Sequence, residues 1–184
     1  MFYRYCWAIY LLLCVACTDI LPQKTTTERQ YFDLIGFFER EITQLKGTTV
    51  QKSATLNGQT ELQTSQLADW ASELSIFTAS NINKPAFRDS YQVDSIWLAA
   101  DTLRITYTAL SPKLRTQSLR IDQLRSTQRI SHIAIDNRVK NPLYELSEIL
   151  HYTPARQYTV SSWQKVRGLN ASQLDIRAEI IARR

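Results

Sequence analysis

Glycine is scarce in this chain, four in 184 residues, and histidine scarcer still, with two. So few glycines exclude the loops whose bare backbone cradles phosphate. Neither G-x-x-x-x-G-K-[ST] nor G-x-G-x-x-G occurs, and no G-x-S-x-G elbow presents a nucleophilic serine. The histidines, His132 and His151, stand nineteen residues apart on separate expected strands. Neither belongs to an i, i+4 or H-x-H pair, so spacing supplies no metal chelate, and a lone strand histidine ordinarily serves as a hydrogen-bonding group. A hydrolase built on them would need both imidazoles in one cleft beside a hydroxyl or a carboxylate. Glu145 and Glu148 would be sent to opposite faces of a strand, which discounts them as a carboxylate pair. On residue types alone, enzyme is the weakest class, and no cofactor is called for.

Cysteine is missing where a disulfide would need it. Cys6, Cys14 and Cys17 all fall in the first seventeen residues, so residues 18–184 can form neither an internal disulfide nor a thiolate metal site. Long apolar runs are missing too. The longest, Trp7 to Ala16, has ten residues, where a membrane-spanning helix needs about 20.

Charge is present but unevenly placed. Between Ser111 and Lys140 stand Lys113, Arg115, Arg120, Arg125, Arg129, Arg138 and Lys140, against Asp122 and Asp136 alone. Gathered on one face, these cations would suit anionic lipid headgroups or acidic glycans; scattered over a sheet, they would simply be solvated. No helix-turn-helix, zinc-finger or RNP-like pattern occurs, so nucleic acid is not the expected partner.

Periodicity divides the chain. From Glu28 to Lys46, Tyr31, Leu34, Ile35, Phe38, Ile42 and Leu45 fall on one helical stripe, widened by Phe32 and Phe37. Thr27 with Gln30 forms a candidate capping box, Glu28 and Asp33 favour the positive end of the dipole, and Gly47 follows the last turn. Asn57-Gly58, inside a polar stretch from Thr49 to Gln63, predicts a type I′ edge hairpin. A second helix is expected from about Gln66 to Phe77, presenting Leu67, Trp70, Ala71, Leu74 and Phe77, with Ser65 as N-cap. From Tyr91 onward about seven strands follow, divided at Ser111-Pro112, Asn141-Pro142, Thr153-Pro154 and Gly168 to Asn170. Ile130, out of phase with Ile133 and Ile135, predicts a bulge.

The fold class expected is therefore α+β: two amphipathic helices packed on a strongly twisted antiparallel meander sheet, shaped like an open half-barrel. That layout is similar to the half-barrels of periplasmic lipoprotein carriers, which hold acyl chains in the concavity. Tyr107, Tyr144, Tyr152, Tyr158 and Trp163 would face inward, lining such a pocket or, as the favoured reading has it, filling a solid core.

The N-terminus carries the most specific signal. Arg4 precedes the ten-residue apolar run, Ala16 stands before Cys17, and the polar Thr18-Asp19 and Pro22 follow. These residues resemble the signal and lipobox of Gram-negative lipoproteins, with Cys14 where that family usually has an aliphatic residue. The resemblance implies a signal peptide over 1–16, a lipidated Cys17 with a tether over 17–27, and one α+β domain over 28–184. Thr18 in the place after the cysteine favours the outer membrane over the inner. Asp94-Ser95-Ile96 and Asp101-Thr102-Leu103 resemble the short O-glycosylation motif of some exported bacterial proteins, which implies Ser95 and Thr102 as acceptors. The expectation is a non-enzymatic binding or assembly module, anchored in the membrane through Cys17. Its partner would be an envelope protein or an anionic lipid or glycan. The alternative is a carrier or sensor of a lipid-like ligand.

Overall fold

Residues 30–66, 69–99 and 101–181 are described by a computed structural model. The chain runs α1 (Leu34–Leu45), β1 (Thr49–Leu56), β2 (Gln59–Gln66), α2 (Trp70–Glu73), α3 (Ser75–Thr78), a 3-10 turn (Pro85–Phe87) and seven strands: β3 (Tyr91–Ala99), β4 (Thr102–Ala109), β5 (Thr116–Leu124), β6 (Ile130–Lys140), β7 (Tyr144–Thr153), β8 (Gln157–Val166) and β9 (Ser172–Ile181). All nine strands join one open antiparallel sheet, ordered β2-β1-β9-β8-β7-β6-β5-β4-β3. The fold is thus mostly β, with less helix than the expected α+β layout. Among the described residues no helix is long and apolar enough to cross a membrane.

Turn chemistry sets the strand boundaries. Asn57 and Gly58 both take positive φ, 49° and 87°, as a type I′ turn demands, and bring Leu56 opposite Gln59. The hairpin does not stand alone, because β1 also pairs along its length with β9 and so joins the first strand to the last. The predicted bulge is present: the β5–β6 register shifts between Asp122–His132 and Gln123–Ile130. The extra residue puts Ile130, like Ile133 and Ile135, against the core.

α1 is shorter than its periodicity suggests and turned by one position. Asp33, and not Thr27, is the N-cap, accepting a hydrogen bond from the Gly36 amide. Thr27 and Glu28 lie outside the described residues. Tyr31 precedes the helix yet is buried, tied down by Asn83, whose side chain bonds the backbone of Tyr31 and Phe32. The buried stripe is Leu34, Phe37, Phe38, Glu41 and Leu45, while Ile35 is 40% exposed. Four packed rings explain the rotation, since Phe37 and Phe38 both meet Tyr152 edge-on, and Phe38 also packs on Phe77.

The second helix is a correction. Ser65 belongs to β2, and the expected helix is two single turns broken at Leu74 (φ −91°, ψ 6°) and capped by Asp69. Trp70, Leu74 and Phe77 still bury, but Ala71 is exposed. Breaking the helix lets Leu74, Phe77 and Ile82 all reach the sheet with no exposure. A second tie is polar. Asn137, fully buried on β6, donates to the hydroxyl of Ser80 (2.9 Å) and to Glu148 (3.1 Å), while Thr116 lies 3.0 Å from the Asn137 carbonyl. Every buried polar group there has a partner, so the cluster fixes the helical layer on β5, β6 and β7 without an orphaned charge.

Candidate functional site

Strand geometry sorts side chains onto two faces. Tyr107, Leu119, Ile121, Ile133, Ile135, Leu150, Tyr152, Tyr158, Val160 and Ala178 face the helices and form the core. Phe37, Phe38, Phe77, Tyr152 and Tyr158 fill the space on that side with edge-to-face rings. Of the five aromatics expected inward, Tyr107, Tyr152 and Tyr158 are buried and Tyr144 is half-buried. Trp163 is a correction: it lies opposite Ser147 and Gln173, on the other face. A strand that alternates Tyr158, Val160 and Ser162 inward must send Trp163 out.

The other face carries no helix among the described residues, and its middle holds a chain of polar contacts. Arg104 on β4 grips Asp122 on β5 with both arms, Nε to Oδ1 at 2.7 Å and Nη2 to Oδ2 at 2.8 Å. Asp122 Oδ2 is 3.8 Å from Nδ1 of His132 on β6. Nε2 of His132 is 3.3 Å from Nδ1 of His151 on β7, and the rings stack at 5.3 Å. Asp122 is only 7% exposed although it stands on the uncovered face.

Burial lowers both imidazoles below the ordinary histidine value. The nearby His151 pushes His132 down further while Asp122 pulls it partly back, and Arg120 adds to the effect on His151. Arg120 is exposed in the same row, with Ala134 between it and His151. With both rings neutral near pH 7, each carries one N–H. With the His132 proton on Nδ1, toward Asp122, the His151 Nδ1–H donates to His132 Nε2, and His151 Nε2 is left to accept a bond from a ligand. Ser131, the nearest hydroxyl in sequence, donates to the Asp122 carbonyl at 3.1 Å, so its proton is committed. Among the described residues no group of three or more His, Cys, Asp or Glu side chains is arranged to hold a metal ion.

Sequence spacing hid this cluster. Nineteen residues separate the histidines, but β6 and β7 pair antiparallel with Ala134 opposite His151, which sets His132 diagonally beside it. Their separation in sequence, used to discount them, is corrected by that register. Arg104 and Asp122 were missed as a pair. The signal that would have found them is the β4–β5 register, which puts the two directly opposite.

The seven cations do not form one surface. Arg115 folds onto Glu148 at 2.7 Å and the Ala79 carbonyl, beneath the helical layer. Arg120, Arg138 and Lys140 stand on the uncovered face, where Arg138 pairs with Asp136 and Lys140 with Glu145. Lys113 is at the β4–β5 connection, while Arg125 and Arg129 flank the β5–β6 turn at the opposite end, Arg125 stacked 5.3 Å over Trp97. Ser95 is exposed on the edge strand β3, and Thr102 is half-buried at the start of β4. The Asp101 beside Thr102 is engaged by the amide and hydroxyl of Ser126. Cys17 lies outside the described residues. Glu145 and Glu148 do face opposite sides, Glu145 toward Lys165 and Glu148 toward Asn137. No protein-family model, no curated protein and no solved structure matches this chain.

Proposed function

We propose that the chain is a non-enzymatic binding module, lipid-anchored at the outer membrane through Cys17, and that the uncovered sheet face is its recognition surface. In this reading the sheet curves round α1 as an open half-barrel whose concavity holds the module's own core. The observation that carries it is the contrast in filling. The helix side is packed with the module's own aromatics, whereas the other side presents Arg104, Asp122, His132, His151 and Arg120 in adjacent rows. A nitrogen acceptor beside a guanidinium suits a partner that supplies both a donor and an anionic group, as an envelope protein or an acidic glycan does. The space a carried acyl chain would need is taken by Phe37, Phe38 and Phe77, which favours the binding module over the carrier.

Photo-crosslinking in cells with the full chain tests this reading. A crosslinker at Arg120 or Ser161, on the uncovered face, is expected to trap one discrete partner, and one at Glu39 or Thr43 on α1 is not. Trapping from α1 alone, or from neither side, would overturn the assignment. The anchor is tested separately: Cys17→Ala should abolish labelling by a radioactive fatty acid, and undiminished labelling would refute it.

A further inference from the structure

The strand ends also differ from each other. At one rim of the sheet lie the β1–β2 turn, the connections β4–β5, β6–β7 and β8–β9, and the start of β3. Backbone bonds knit them into a continuous row: Leu110 to Ser90, Arg138 to Arg115, Arg167 to Leu143 and Asn57 to Gln173. Each of the four connections carries an exposed leucine, namely Leu56 (52%), Leu110 (64%), Leu143 (65%) and Leu169 (66%). Beside them Lys113, Lys165 and Arg167 are exposed. The neighbouring carboxylates are already engaged, Asp89 by Gln30 (2.7 Å) and Glu145 by Lys140 (3.5 Å). At the opposite rim the β5–β6 and β7–β8 tips carry no large apolar residue, with Ser126, Thr127 and Gln128 in one and Ala155 and Arg156 in the other. Trp97 (55% exposed) and Leu98 (45%), near the β3–β4 turn, lie beside Arg125, which stacks over the Trp97 ring. A single exposed leucine is ordinary, but four gathered at or beside the turns of one rim among cations form the pattern of a surface that enters the headgroup layer.

The chain also enters the fold at this rim. Gln30 bonds Asp89, two residues before β3, and the hydroxyl of Tyr31 accepts from the Tyr91 amide at 3.3 Å. Cys17 is thirteen residues earlier, so its sulfur can lie no farther than about 45 Å from the rim, at about 3.5 Å per residue.

We propose that this leucine-tipped rim rests on an anionic lipid bilayer, with Leu110, Leu143 and Leu169 entering the interface and Lys113, Lys165 and Arg167 meeting headgroup phosphates. The orientation rests on the Cys17 reading only for its tether; the tips themselves are independent of it. With the rim down, the strands rise from the membrane and the uncovered face looks sideways along it, where an envelope partner can reach it.

The test reconstitutes the full chain in vesicles of phosphatidylethanolamine and phosphatidylglycerol, with an environment-sensitive fluorophore on one introduced cysteine at a time. Leu143→Cys and Leu169→Cys are expected to be quenched severalfold by brominated lipid. Leu62→Cys, on the edge strand β2, and Leu98→Cys, toward the opposite rim, are expected to stay unquenched. Lys113→Gln with Lys165→Gln and Arg167→Gln should weaken the quenching, and more so with phosphatidylglycerol than with phosphatidylcholine. No quenching at either tip, or stronger quenching at Leu98→Cys, overturns the docking surface whatever the state of Cys17. Intact mass of the N-terminal peptide reads the anchor independently: quenched tips with an unmodified Cys17 thiol would sink the anchor and leave the rim standing.

Discussion

The two faces of this sheet are made from the same strands, residue by alternate residue, and they solve opposite problems. On the helix side Phe38, Phe77, Leu34 and Ile133 have no exposed surface. Buried side-chain polar groups there are paired, as where the Tyr152 hydroxyl donates to Glu41 at 2.7 Å, with Trp70 Nε1 the exception among the described residues. On the other side Asp122 and Ala134 are nearly as buried, yet their neighbours are an arginine and two imidazoles. The difference teaches that burial alone does not mark a core. A core is buried by close packing of apolar surface, worth about 25 cal/mol per Å2. In the Arg104–Asp122–His132–His151 row only Asp122 is buried, covered by its half-buried neighbours and held by the hydrogen bonds from Arg104, each of which contributes about 1 kcal/mol net. The first kind of burial sets stability; the second holds polar groups in fixed positions at little cost to it.

That contrast can be broken most visibly from the core side. Phe38→Ala should cost about 3–5 kcal/mol, by loss of buried area and by the cavity left between α1 and Tyr152, read as a lower urea midpoint. Tyr152→Phe, which removes one oxygen, should cost about 1–3 kcal/mol because the Glu41 carboxylate keeps its burial and loses its donor. Glu41→Gln combined with Tyr152→Phe should recover part of the loss if that account is right. On the uncovered face, Asp122→Asn should cost about 1 kcal/mol, since the guanidinium of Arg104 stays partly solvated. Its sharper effect is on titration. Without the carboxylate that holds it up, His132 should titrate at still lower pH, seen as a shift of its imidazole resonances by NMR.

A pH series sharpens the comparison further. Both histidines titrate below the usual value in the folded protein, so between that value, about 6.5, and their lowered ones the unfolded chain binds more protons. Stability should therefore fall as pH drops through this window and level off above it. His132→Gln with His151→Gln should flatten that slope in chemical denaturation from pH 7 to 5, and an unchanged slope would show that the pair is not its source. The smallest effect is expected at Gly36. A β-carbon there would collide with the Asp33 carboxylate, so Gly36→Ala should lose the cap, about 1 kcal/mol. It should gain nearly as much helix propensity, about 1 kcal/mol, leaving the urea midpoint almost unmoved.

Much of the fold was legible because its signals are local. The Asn57-Gly58 turn, the four later turn clusters and the phase slip at Ile130 each depend on a few adjacent residues, and each is where the pattern put it. The helices were read less well because their ends are decided elsewhere. Tyr152 draws Phe37 inward and leaves Ile35 out, and the need for Leu74, Phe77 and Ile82 to reach one sheet breaks a helix that periodicity alone would continue. The candidate site was the least legible part, since its four residues come from four strands and no two are near in sequence.

By itself the sequence determined the number of strands, their turns and which side chains alternate, because backbone conformation and side-chain period are properties of neighbouring residues. Only the tertiary structure decided that β1 closes on β9, that His132 lies against His151, and that four leucines share the rim where the chain enters. Register is the physical reason. In an antiparallel sheet the partner of a residue is fixed by how long each strand is and where each turn reverses it, and a slip of one residue would send every one of these side chains to the other face.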